Sequence, residues 1–406
     1  MKRMLSRMAA QASRRVRETD TPCIVQMQEM LRGKEGVLSL AQGIVHWQPP
    51  PTALDAARIA AEDPTTCLYC ADDGLPELRS ALKDKLRHEN GLVASEVMVT
   101  AGANQGYTNA VLALLDAGDA ALLFRPYYFN HLMALQMTGS ARELVLPDST
   151  PELQPDVAAL EHEMEARAAA GRPPIKLVTL VNPGNPTGVM VPRQTLERIS
   201  ALCEKYGSWL LVDNTYEYFE YKGEPRHECI EGEHVLNLFS FSKAFGMMGW
   251  RVGYLAFPPR LLPQLFKVQD TVVICAAVAS QRVALGALEA GRDWVNHRVA
   301  SLDEQKALVL DALAPLGAGS VQGGSGAIYL VVRLPDGAAD DVAVVRWLCD
   351  VHRVALIPGS ACGYPGHVRV CYANLPLEKT KEAAARLKKG FEELVADPSA
   401  PARYRA

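Results

Sequence analysis

Between Ser95 and about Val273 the chain alternates short, almost wholly apolar runs with longer stretches in which apolar residues recur at helical spacing. EVMVTAG, DAALLFRP, KLVTLVNP, WLLVDNTY, VLNLFSFS and GWRVGYLAF each have the length and apolar continuity of a buried strand. Strands separated by helix-length segments predict a mostly parallel sheet with crossover helices, an α/β fold. Several runs end in glycine or a polar residue. In such sheets ligands bind in the crevice beyond the carboxyl ends of the strands.

Beyond about Trp294 the rhythm changes. RVASLDEQKALVLDAL reads as one long amphipathic helix, followed by strand-like IYLVVRL, VALIPGS and HVRVCYA and a closing helix, EKTKEAAARLKKGFEEL. This predicts a smaller α+β unit. The segment before about Asp63, in which Pro49, Pro50 and Pro51 break regular structure, is expected to pack with it. The expected organisation is a basic flexible arm over 1–20, a large domain over 64–293, and a small domain formed by 21–63 together with 294–406. At 406 residues the chain is long enough for two cores.

Composition narrows the function. A net charge of −4, with both signs spread along the chain, excludes a nucleic-acid footprint and leaves small neutral or anionic ligands as partners. No apolar run approaches the roughly 18 residues of a membrane span, so a soluble protein is expected. Nine cysteines, an odd number scattered from Cys23 to Cys371, point to reduced thiols and a cytoplasmic protein. Cys67 and Cys70 form a CxxC pair without a second pair, and no metal is expected there. The opening MKRMLSRMAAQASRRVR carries Lys and Arg and no acidic residue. It is either a plastid or mitochondrial transit segment or a basic arm of a cytoplasmic protein.

The polar strand ends carry the candidate chemistry. Lys243 follows VLNLFSFS in an apolar setting, where burial lowers a lysine pKa toward the neutral amine that condenses with an aldehyde. Asp213 ends the run WLLV, where a carboxylate requires a cationic partner: a salt bridge, a helix cap, or a protonated ring nitrogen. In LVNPGNPTG, two prolines and two glycines present Asn185, whose bond to Pro186 is a candidate cis peptide; with Tyr216, Asn185 offers a hydrogen bond to a ring oxygen. TAGANQG opens a helix, so Gly102, Ala103 and Asn104 offer backbone N–H groups to a phosphate, and Ser240, Ser242 and Arg251 complete the cup. Together these groups describe a site for pyridoxal 5′-phosphate.

The ordered set NPGNPTG, VDNTYEYF, SFSKAFGMMGWRVGY and HVRV resembles the fold-type I, class I/II aminotransferases over about residues 20–395. The resemblance implies a large domain with a seven-stranded, mostly parallel sheet, a Schiff base at Lys243, a pyridine-nitrogen contact at Asp213 and ring-hydroxyl contacts at Asn185 and Tyr216. It implies that Tyr128, in RPYYFNH, stacks on the cofactor ring, with Tyr127 and Phe129 one register away on either side. Arg369 would clamp the substrate α-carboxylate and Gly43 would let the backbone approach it; outside the resemblance, Arg369 reads first as a surface strand arginine. Tyr69 would reach the phosphate of a neighbouring subunit, implying a homodimer with shared active sites, although it also reads as a core aromatic.

AQGIVHWQPPP, MVTAGANQGY and PYYFNHLMALQMTG look more narrowly like plant aromatic aminotransferases that take methionine as donor and indole-3-pyruvate as acceptor. Dicarboxylate-specific members carry, in the region after the lysine, an extra arginine that comes from the partner subunit. Here VQDTVVICAAVAS has none before Arg282, which implies an apolar substrate pocket including Trp47 and Cys275, with Trp47 alternatively a core residue. The expected partners are amino acids and 2-oxo acids exchanged in a ping-pong cycle. A C–S β-lyase, or a broad kynurenine- or aspartate-type aminotransferase, is the alternative.

Overall fold

A computed structural model describes residues 11–139 and 141–404. The strands, in chain order, are β1 (Leu38–Ser39), β2 (Glu96–Thr100), β3 (Asp119–Leu123), β4 (Ala141–Val145), β5 (Ile175–Val181), β6 (Trp209–Asp213), β7 (Val235–Ser240), β8 (Gly253–Phe257), β9 (Val321–Gly323), β10 (Tyr329–Arg333), β11 (Val354–Ala355), β12 (Ile357–Pro358) and β13 (His367–Cys371). Seven of them form the central sheet in the order β2-β8-β7-β6-β5-β3-β4. Only β8 runs against its neighbours.

The apolar runs explain this sheet. Side chains alternate between faces along a strand, so Leu211, Leu236, Leu238 and Leu255 pack under the helices Ala103–Leu114, Phe129–Thr138 and Leu262–Val273. Val178, Leu180, Leu210 and Val212 pack under Val157–Ala169 and Arg193–Tyr206 on the other face. Both faces are covered, so the strands read as continuous hydrophobic runs. β4 was not expected as a strand: ARELV carries two charges, which an outermost strand tolerates.

The second sheet has the order β12-β13-β10-β9 and is antiparallel throughout. β1 pairs separately with β11. The helix Leu302–Leu313 packs along Leu377–Ala396 beside this sheet, and Pro51–Glu62 packs along Val278–Ala300. Two expectations are corrected here. The helix expected as one piece across RVASLDEQKALVLDAL is divided at Ser301, and Pro51 starts a helix rather than breaking one, since its missing N–H is unneeded in a first turn. Of the basic arm, residues 1–10 lie outside the described residues, while Arg14–Arg17 form a helical turn.

Among the described residues no helix is long and apolar enough to cross a membrane. All nine cysteines are free.

One turn fastens the two sheets together through the backbone. Gly324 and Gly326 donate backbone N–H groups to the Gly188 carbonyl at 2.8 and 2.9 Å, which fastens the loop after β5 to the turn before β10. Gly188 has φ +65, and a Cβ there would overlap the Tyr329 carbonyl. Gly188→Ala is therefore expected to destabilise the fold by roughly 2–3 kcal/mol, measured as a lowered denaturant midpoint with an unchanged slope.

Candidate active site

Because β8 is reversed, Arg251, which precedes it, arrives at the same sheet edge as the carboxyl ends of β2, β5, β6 and β7. Ala103 and Asn104 follow β2, Tyr128 follows β3, and Asn185 follows β5. Asp213 and Tyr216 come from the end of β6, and Ser240, Ser242 and Lys243 from the end of β7. All of them line one cavity, which Gly43 and Arg369 close from the side of the smaller sheets. Counted out to its open mouth, the cavity encloses about 900 Å³.

Lys243 stands in the middle. Among the described residues no acceptor holds its amine. Burial above all lowers its pKa to about 8; the charges of Arg251 and Arg369 add to the drop and Cys371 opposes it. A substantial fraction is thus neutral and nucleophilic near pH 8.

Asp213 is buried, with one carboxylate oxygen accepting from the Thr215 N–H at 3.0 Å and the other 3.1 Å from His131 Nε2. The His131 ring is stacked on Tyr107 at 4.0 Å, and the Tyr107 hydroxyl meets Thr179 Oγ1 at 3.0 Å. The carboxylate is therefore held in place from behind and faces the cavity.

Arg369, on β13, is buried. Its Nη1 donates to Asn185 Oδ1 at 2.8 Å and its Nη2 to the Ala41 carbonyl at 2.7 Å, while Nε is buried with no acceptor. The guanidinium also lies 4.4 Å from the centre of the Tyr329 ring. Since Arg369 takes the Asn185 amide oxygen, Asn185 has its NH₂ group to offer the cavity.

The opposite end is built for an anion. Gly102 caps the helix Ala103–Leu114 without a side-chain partner, so no side chain takes the first-turn N–H groups. A Cβ at Gly102 would overlap the Arg251 guanidinium, so the glycine makes room for that cation. Ser240 and Ser242 stand beside it, the Ser240 hydroxyl accepting from the Ser242 N–H at 3.1 Å.

Three nominated residues lie elsewhere. Tyr69 is 79% exposed and does not line the cavity, so a core position is ruled out. Trp47 is buried behind the lysine loop, its indole N–H donating to the Ala244 carbonyl at 3.3 Å and its ring stacked on Phe219. It fills the core because the side of the loop that it meets faces away from the cavity. Cys275 is half-buried beside Cys70 rather than in the cavity. Of the aromatic trio, Tyr128 and Phe129 line the cavity and Tyr127 does not.

Sequence reasoning missed Ile24, Gln42, Ile44, Met248 and Tyr329 on the wall, and His131 behind Asp213. His131 was findable in principle: a histidine three residues after Tyr128, on the apolar face of a helix, requires a buried partner.

This α/β fold, with a buried lysine of lowered pKa between two cationic ends at the carboxyl edge of the sheet, defines a cofactor-dependent enzyme of amino-acid chemistry. Residues 35–387 match the family described as aminotransferase class I and II, and the chain belongs to that family. It is 50% identical over 386 residues to the aromatic aminotransferase ISS1 of Arabidopsis thaliana, covering 94% of this chain and 97% of that one. It is 30% identical to the aspartate/prephenate aminotransferase of Thermus thermophilus, over 88% of this chain and 93% of that one. The solved aspartate aminotransferase from Thermus thermophilus with maleate superposes with a TM-score of 0.86 at 29% identity, covering 94% of this chain and 100% of that chain.

The protein is thus an aminotransferase dependent on pyridoxal 5′-phosphate. The donor set fits that cofactor: a free buried amine for the aldehyde, a carboxylate held from behind, and an uncapped helix start beside Arg251 for the phosphate. In the cofactor-free protein, labelling of Lys243 by an amine-selective reagent is expected to accelerate as pH rises through about 8, because the neutral form increases above its lowered pKa. Peptide mass mapping against pH measures this; a rise only near pH 10, the ordinary lysine range, would contradict it.

Proposed function

We propose that the enzyme moves an amino group between an aromatic or methionine-type amino acid and a 2-oxo acid, for example from methionine to indole-3-pyruvate or phenylpyruvate, by a ping-pong exchange. The carrying observation is the distribution of charge in the cavity. Among the described residues its cations are Lys243, Arg251 and Arg369. If Arg251 serves the phosphate and Arg369 the α-carboxylate, none remains for a side-chain carboxylate. Ile24, Ile44, Phe129 and Met248 supply apolar wall instead. Arg282, the first arginine after VQDTVVICAAVAS, is held by Asp63 at 2.8 Å and by Thr65. The 50% identity to an aromatic aminotransferase supports the same reading.

When bound, pyridoxal 5′-phosphate supplies an aldehyde that condenses with amines and a ring that accepts the electron pair left when the substrate Cα proton departs. In this reading Lys243 would hold the aldehyde, and its amine, when free, would move the substrate Cα proton. Asp213, fixed by His131, would keep a proton on the pyridine nitrogen. The Asn185 amide and the Tyr216 hydroxyl would bind the ring hydroxyl, and Tyr128 would pack on the ring. The Ala103 and Asn104 N–H groups, Ser240, Ser242 and Arg251 would hold the phosphate. Arg369 would orient the substrate α-carboxylate, with Gly43 beside it. Tyr69, exposed on this subunit, would reach the phosphate end of a partner's site, so the working unit is a homodimer. Residence in the cytoplasm is proposed, with plastid or mitochondrial import as the alternative. A fluorescent fusion lacking residues 1–17 that moves from an organelle to the cytosol would favour import.

The deciding experiment follows the holoenzyme's visible absorbance while methionine, tryptophan, phenylalanine, aspartate and alanine are added separately, then supplies indole-3-pyruvate or phenylpyruvate. Methionine or aromatic donors are expected to bleach the band fastest, and aromatic oxo acids to restore it. Aspartate with 2-oxoglutarate as the fastest pair would overturn the specificity, and ammonia release without recovery would indicate a lyase. Lys243→Ala is expected to lower kcat by about 10³-fold or more.

A further inference from the structure

Tyr329 is a buried residue of β10 whose hydroxyl reaches the cavity and, among the described residues, hydrogen-bonds with the Tyr216 hydroxyl. The two rings meet edge to face, 5.4 Å apart at 78°. Gly43 lies directly against the Tyr329 hydroxyl, and a Cβ at that position would overlap it. The hydroxyl therefore occupies a fitted slot between Gly43 and Tyr216.

Two phenols that share one hydrogen bond have two protons between them, so one proton is left over. Which phenol keeps it depends on which is the stronger donor. Arg369 lies over the Tyr329 ring at 4.4 Å and draws electron density from that phenol. Burial raises both hydroxyls above the usual tyrosine range, and Arg369 opposes that rise in both. The guanidinium lies over the Tyr329 ring itself, which makes Tyr329 the donor of the pair.

We propose that Tyr329 is a positioning residue: by donating its proton to the Tyr216 oxygen, it leaves the Tyr216 proton to point into the cavity at the cofactor's ring oxygen. This rests on the reading that Tyr216 meets that oxygen. The other titratable or charged groups facing the pair are Arg369 and Tyr128, with Cys371 facing Tyr329 and Lys243 across the cavity. A hydrogen bond that accepts at one side and donates at the other is strengthened cooperatively. A well-donated ring oxygen stays anionic, so the lysine linkage gives up its proton at lower pH.

The test is the pH midpoint of the holoenzyme's visible absorption. Tyr216→Phe is expected to raise it by roughly one pH unit and Tyr329→Phe by roughly half a unit, with the double variant no higher than Tyr216→Phe alone. Gly43→Ala, which keeps Tyr329 but displaces its hydroxyl, is expected to raise it as well and serves if Tyr329→Phe does not fold. An unchanged or lowered midpoint in Tyr329→Phe while Tyr216→Phe raises it would overturn this inference alone. That result would hold even if the melting temperature fell, since a merely structural role moves stability and not the midpoint. An unchanged midpoint in Tyr216→Phe would overturn the underlying placement of the ring oxygen, and this inference with it.

Discussion

A guanidinium taken out of water without a carboxylate is the constraint on which this site depends. Removing a cation from water costs several kcal/mol unless charge and hydrogen bonds are restored. Among the described residues Arg369 has no carboxylate partner. It is held by the Asn185 amide, the Ala41 carbonyl and the face of Tyr329. Neutral acceptors fix where the charge sits without cancelling it, so the guanidinium keeps an unmet demand for an anion, which in the proposed reading a substrate carboxylate would meet. The same contacts turn the Asn185 NH₂ group toward the cavity and join the loop after β5 to β13.

Arg251 and Arg369 do a second thing: both push the Lys243 amine toward its neutral form. The groups suited to hold anions therefore also prepare the nucleophile. Their influence falls once anions neutralise them, so the amine is least basic when the site is empty and regains basicity as phosphate and carboxylate arrive. Proton affinity and ligand occupancy are linked through ordinary Coulomb forces.

The central sheet was legible because strands covered on both faces cannot alternate, and their unbroken apolar runs stand out. β4 escaped because an outermost strand tolerates the charges of ARELV. Cavity residues were legible where a polar group ends an apolar run, as at Asp213, Asn185 and Ser240. Tyr329 sits inside IYLVV, where a tyrosine looks like any core aromatic; only its hydroxyl's neighbours distinguish it. Ile24 and Ile44 carry no local signal, since a wall residue differs from a core residue only in what lies beyond it. Trp47 read as wall or core alike, and Cys275 read as wall, for the converse reason: a large or soft apolar side chain near a motif does not announce which side of the loop it faces. How the two sheets meet was not readable either, because Gly188 and Gly324 are joined by backbone hydrogen bonds.

The cavity draws on Ile24 and Gly43 at one end of the chain and on Arg369 near the other. Chains emerge from synthesis amino end first, and their domains form in that order. When β2 to β8 have been made, the lysine, the aspartate and the phosphate cup are all present, but β10 and β13 are not. A nascent chain at that point carries the apolar wall of Ile24, Ile44, Phe129 and Met248 together with Arg251, but neither Tyr329 nor Arg369. The cavity closes last, with a strand only five residues long.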